Sequence, residues 1–266
     1  MSTRETLADS GSTPEAAARR PGDLALMIVV FTLFTVYCLA FIFSTSFVVG
    51  GERYFCLFDD AMISMRYAAN LAAGDGLLFN PGQAPVEGIT NLLWTLLMSL
   101  AHLLPLAASK ISLVVQLLAL VCLAANLLVV RRLVIEAGGG KIASAAGMLL
   151  VGFYFPLNNW SLQGMEVGLL TLLVTSSALF LLRWRATGRG AARPWILLGI
   201  AMLVRMDAAV VVVAAAAWSF FAVPSRRRTA LAYSTATLVV CLGGLTVFRL
   251  LYFDAWLPNT YHLKMT

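Results

Sequence analysis

Apolar runs dominate this chain, and the polar intervals between them collect arginines. The first run, Leu24–Val49, is long enough at about 1.5 Å per residue to cross a hydrocarbon core of about 30 Å. It is too long for the apolar region of a signal peptide and has no clear A-x-A cleavage site, so it predicts an uncleaved anchor. Further runs follow at Ile111–Val130, Ile142–Leu157, Val167–Leu182, Pro194–Val223 and Thr229–Leu251. Residues 1–22 are polar and Ala/Ser/Thr-rich, and read as a disordered cytoplasmic tail ahead of a membrane core over 23–266. A polar interval at about 50–110 forms a long first outer loop with interfacial helices.

Two segments decide the topology. Asn91–Leu106 is apolar but contains His102 and Pro105. As a span it would put Arg131, Arg132, Lys141, Arg183, Arg185, Arg189 and Arg193 outside, whereas as an interfacial helix it keeps them inside. Pro194–Val223 would be about 45 Å long as one helix, and the triplet Arg205-Met206-Asp207 interrupts it. A hairpin of two short helices turning there keeps Arg226, Arg227 and Arg228 inside. The expectation is therefore an all-α polytopic membrane protein with about seven transmembrane segments and a cytoplasmic N-terminus.

Composition agrees. Of 266 residues, 60% are hydrophobic and 12% charged, with mean hydropathy +0.85. Soluble domains carry about twice that charge, so an ordinary soluble enzyme, a disordered chain and a disulfide scaffold are all excluded. The net charge of +6 sits in clusters between apolar runs, which writes membrane topology and does not describe a nucleic-acid face. Three of the four cysteines lie in apolar runs, and no Cys/His spacing indicates a metal. The carboxylates Glu52, Asp59, Asp60, Asp75, Glu87, Glu166, Asp207 and Asp254 all fall on the outer side of this plan, which places any acid–base chemistry there.

The densest signal is FDDAMISMRYAANLAAGDGLLFNPGQAPVEGITNLLW. Asp59-Asp60 opens a helical pattern that Gly74 closes. A carboxylate there caps the helix or faces a cavity as a general base, and the residues alone leave both open. Arg66 is a snorkelling arginine or a phosphate partner, and Glu87 is a cap-region acid or a sugar-binding group. Glu166 ends an amide-rich outer loop that begins at Asn158. Arg205 and Asp207 form a buried pair or take part in binding. Near the end of the sequence, Lys264 is an interface anchor or a phosphate partner.

In serial order, FDDAMISMRYAANLAAGDGL, NPG…VEGITNLLW, LQGMEVGLL, VRMDA and LPNTYHLK resemble the motifs of the GT-C superfamily of polyprenyl-phosphate-dependent glycosyltransferases. The nearest branch is the actinobacterial cell-wall arabinofuranosyltransferases and their proteobacterial relatives. The resemblance implies a bacterial inner-membrane enzyme of the cell envelope with an extracytoplasmic active face. It would move a sugar from a polyprenyl-phosphate donor to a glycan or lipid acceptor, with inversion. An Asp would be the general base, either Asp60 or Asp59, with Asp60 the better match. Arg66, Tyr67, Glu87, Glu166, Arg205, Asp207, Asn259 and Lys264 would bind substrate. A divalent cation can sit near the clustered acids, although no ligand spacing demands one. Full-length relatives continue well beyond this chain, so the resemblance covers the N-terminal seven-helix core, which is then a fragment, part of a split gene with a separately encoded C-terminal part as partner, or a truncated product. A catalytically inactive membrane subunit and a small-molecule transporter or flippase are the alternatives.

Overall fold

A computed structural model describes residues 21–256. The expected tail over 1–22 lies almost wholly outside the described residues, as do Asn259 and Lys264. The described chain is nearly all helix. Ten α-helices carry it: α1 (Pro21–Ser44), α2 (Asp59–Ala73), α3 (Leu92–His102), α4 (Ala108–Glu136), α5 (Lys141–Gly152), α6 (Phe155–Leu162), α7 (Val167–Thr187), α8 (Ala192–Val204), α9 (Ala209–Ala222) and α10 (Arg227–Phe253). A two-stranded hairpin, β1 (Phe47–Val49) with β2 (Glu52–Tyr54), follows α1.

Four helices are long and apolar enough to cross a membrane: α1, α4, α7 and α10. The other three expected segments fall on shorter helices, α5, α8 and α9. Their 12, 13 and 14 residues rise only about 18–21 Å, less than a hydrocarbon core. The chain is thus an α-helical protein built for a membrane, with four full-length candidate spans among the described residues.

The first apolar run is corrected at its end. Helix α1 stops at Ser44, because the hydroxyls of Ser44, Thr45 and Ser46 turn back onto the carbonyls of Phe41, Ile42 and Phe43. The residues beyond form β1, and Gly50-Gly51, both at positive φ, make the two-residue turn that glycine pairs favour. The supposed outer loop at Asn158–Glu166 is also largely helix. α6 stacks after a break at Phe153-Tyr154, and the buried Asn158 amide donates to the Gly152 carbonyl freed by that break (2.7 Å).

Side-chain register fixes the helix directions. Leu123 lies by Gly168, Asn126 meets Thr175, and Glu136 meets Arg183, so α4 and α7 run the same way. Gly147 against Val130 and Val134, then Gly152 against Leu127, sets α5 antiparallel to α4. Trp195–Thr237, Gly199–Cys241 and Met206–Arg249 contacts advance together, so α8 and α10 are parallel, with α9 returning between them. Arg205–Asp207 is therefore the tip of a helical hairpin, as the charge pattern required.

This alternation sorts the charges. One end of the bundle holds Glu136 with Arg183, and Arg226 donating to the Trp184 carbonyl. The opposite end holds Glu87, Asn91, Glu166, the 205–207 tip and Arg249. Helices α2 and α3 cover the latter end. Ala61, Met65 and Ala68 recur at helical spacing and bury against Trp94 and Met98 of α3 and Ile111 and Val115 of α4.

Candidate functional site

Helix α2 begins at Asp59 and ends at Gly74, whose φ of 90° gives the left-handed cap that glycine supplies without strain. Its start is fixed by the Phe58 N–H, which donates to the Gln163 carbonyl (2.8 Å), and by the Phe58 ring against Trp160 (centroids 4.9 Å apart). The two acids then diverge. Asp59 Oδ1 accepts the Asp60 N–H (2.9 Å). The exposed Asp60 carboxylate has no hydrogen-bond or ion-pair partner among the described residues. It stands one helical turn before Ser64.

From Ser64 a buried polar chain crosses the molecule. The Ser64 hydroxyl donates to Asn91 Oδ1 (3.0 Å), as does Thr95 (3.0 Å). Asn91 Nδ2 donates to Glu166 Oε2 (2.9 Å), and Arg205 Nη1 donates to Glu166 Oε1 (2.8 Å). Arg205 Nε and Nη2 fork onto Asp207, the latter at 2.8 Å. Glu166 is 1% exposed, whereas the Asp207 side chain is 62% exposed. Asp207 first, then Glu166, raises the Arg205 guanidinium pKa against the opposing effect of burial, so the side chain is a fixed cation. Six residues from four separate segments thus share one connected network, with Asp207 open to solvent at one end.

A second buried pair ties the outer loop to the same tip. Arg249 Nε donates to both Glu87 oxygens (2.9 and 2.8 Å), and Arg249 Nη1 meets Met206 Sδ at 3.2 Å. Glu87 is 7% and Arg249 5% exposed. Burial pushes the Glu87 carboxyl above the ordinary carboxylate range, and Arg249 pulls it partly back. Tyr67 is buried beneath this loop, its hydroxyl donating to the Val86 carbonyl (2.6 Å) and accepting the Gly88 N–H (3.0 Å). Tyr252 closes the other side by accepting the Leu77 N–H (2.7 Å). Arg66 remains exposed, with Nε on the Phe79 carbonyl (3.1 Å).

The expected site residues therefore divide. Glu166, Arg205 and Asp207 are joined directly, Asp59 and Asp60 open α2 about one turn before Ser64 of the same network, and Arg66 lies two turns along α2 from the acids. Tyr67 and Glu87 are turned inward, where they hold the 74–90 loop and present no open polar atom to a substrate. Four participants escaped sequence reasoning: Ser64, Asn91, Thr95 and Arg249. Among the described residues, no three His, Cys, Asp or Glu side chains converge as a metal site.

Gly164 sets the turn that aims Glu166. Its φ is +92°, and an added Cβ would stand 2.7 Å from Leu57 Cδ1, while its carbonyl accepts the buried Trp94 indole N–H (2.8 Å). Gly164→Ala is expected to cost about 1–3 kcal/mol from strained backbone, before any clash is counted. A lowered midpoint of thermal unfolding in detergent would register it.

Comparison with known protein families, curated proteins and solved structures finds no match for this chain.

Proposed function

We propose that the chain is the core of a membrane glycosyltransferase that takes its sugar from a polyprenyl-phosphate donor at the Asp60 face. The observation that carries this reading is the unpartnered Asp60 carboxylate standing one turn from the Ser64–Asn91–Glu166–Arg205–Asp207 network. A general base must be free to accept a proton, and the groups around it must be held still. The motif order of the sequence supplies the reaction class.

In the proposed step the acceptor hydroxyl oxygen attacks the anomeric carbon of the donor. Its proton passes to Asp60, and the bond from that carbon to the phosphate oxygen breaks, releasing polyprenyl phosphate. Arg66 is an exposed cation with free N–H groups that can face the phosphate. Arg205 is anchored by the buried Glu166, so its first role is to hold the exposed Asp207 carboxylate toward sugar hydroxyls. The exposed Asp207 is the partner a phosphate would displace if Arg205 also binds it. The resemblance adds Asn259 and Lys264, which lie outside the described residues, as substrate-binding groups. Under this reading the bundle sits in a bacterial inner membrane with its arginine end cytoplasmic, and α5, α8 and α9 complete seven membrane segments.

The test supplies membranes bearing the chain with a panel of radiolabelled polyprenyl-phosphate pentoses and hexoses. Label should pass to endogenous glycan or lipid above the level of membranes without the chain. Labelling no higher than in membranes without the chain, with every donor, would overturn the proposal in favour of an inactive subunit or a transporter.

A further inference from the structure

Away from Asp60, an apolar groove of about 410 Å³ opens between α4, α7, α8 and α9. Val174, Ala178, Leu181 and Leu182 of α7 form one wall, and Ala215 and Trp218 of α9 face them. These α7 positions recur at three- and four-residue spacing, and the next member of that stripe is Arg185. Across the groove, Leu133 of α4 lines its foot and follows Arg132. The guanidiniums of Arg132 and Arg185 are exposed and have no partner among the described residues. The carboxylate near this foot, Glu136, is already bound by Arg183. The acyl-sized apolar slot thus ends about one helical turn before Arg185 on α7, and Arg132 directly precedes the Leu133 that lines it on α4.

We propose that this groove seats one anionic glycerophospholipid of the surrounding bilayer, with an acyl chain between α7 and α9 and its phosphate at Arg132 and Arg185. Apolar lining alone would accept any lipid chain. The unpaired arginines at the foot select the anionic headgroup, since each basic side chain near a membrane surface favours an anionic lipid. Lipid held there would fill the gap between α7 and α9 and brace the 205–207 hairpin from its far end. This inference is independent of the glycosyltransferase reading.

The experiment reconstitutes the full chain in phosphatidylcholine nanodiscs containing phosphatidylglycerol, and counts retained lipid by native mass spectrometry. One phosphatidylglycerol per chain should be retained in preference to phosphatidylcholine. Arg132→Ala and Arg185→Ala should each weaken that preference about fivefold. Ala215→Phe, which fills the groove while leaving both arginines, should abolish the retained lipid. Equal retention of the two phospholipids would overturn the proposal. So would preference that survives Ala215→Phe, since the arginines would then act as a general surface.

Discussion

Asp60→Asn should lower glycosyl transfer by about 10²–10⁴-fold, the usual contribution of a positioned general base. Asparagine keeps the shape of the side chain and cannot accept the proton. The exposed position predicts little loss of stability, since Asp60 makes no side-chain hydrogen bond or ion pair among the described residues. Asp59→Asn is the internal control, because Asp59 Oδ1 accepts a backbone N–H that an asparagine oxygen also accepts. Initial rates at matched membrane insertion would separate the two acids. Equal loss in both variants would assign the chemistry to the pair and not to Asp60.

The largest effect on stability is expected at Arg249. Arg249→Met leaves the Glu87 carboxylate buried and without its partner, a loss of about 3–5 kcal/mol for breaking a buried ion pair from one side. It also releases the loop from the Met206 side of the hairpin tip. The double variant Glu87→Leu/Arg249→Met should recover most of that loss, since removing both charges also removes the cost of burying them. Thermal unfolding followed by size-exclusion fluorescence would measure both. The same comparison separates stability from chemistry: if the pair acts only by holding the loop, the double variant regains activity along with stability.

Much of the plan was written in local pattern. The Asp59-Asp60 start and the Gly74 stop of α2 could be read directly, because end signals of helices act over a few residues. The 205–207 turn was legible because charges interrupt an apolar run there and the arginine clusters demand a return. The β-hairpin was hidden inside a continuous apolar run, although Gly50-Gly51 between Val-rich and aromatic residues carried its signal. The two buried pairings were beyond local reading. Glu87 meets Arg249 across 162 residues of sequence, and an arginine near the end of an apolar helix does not name its partner. Intramembrane arginine is itself a signal, and Arg249 could have been singled out on that ground alone. Asn91 looked like an ordinary helix-start residue. Its role as the link between Ser64 and Glu166 follows from the folding of α2 over the end of α7, which no spacing encodes.

The helix lengths have a functional reading. The short pair α8 and α9 brings the charged tip 205–207 to the same end as Glu166 without a second full crossing in each direction. The long helices α4 and α7 supply the packed wall against which that pair rests, with Trp184, Trp195 and Leu198 fully buried between them. A rigid frame at the site and a groove at its far end are consequences of one arrangement.

The anomeric configuration of the transferred sugar tests the central claim most directly. Vesicles bearing the chain would be given a polyprenyl-phosphate sugar of known configuration, and the product's anomeric coupling would be read by NMR. A single attack by a hydroxyl activated at Asp60 predicts inversion. Retention would require a covalent sugar on the protein or a second displacement, and would contradict the account.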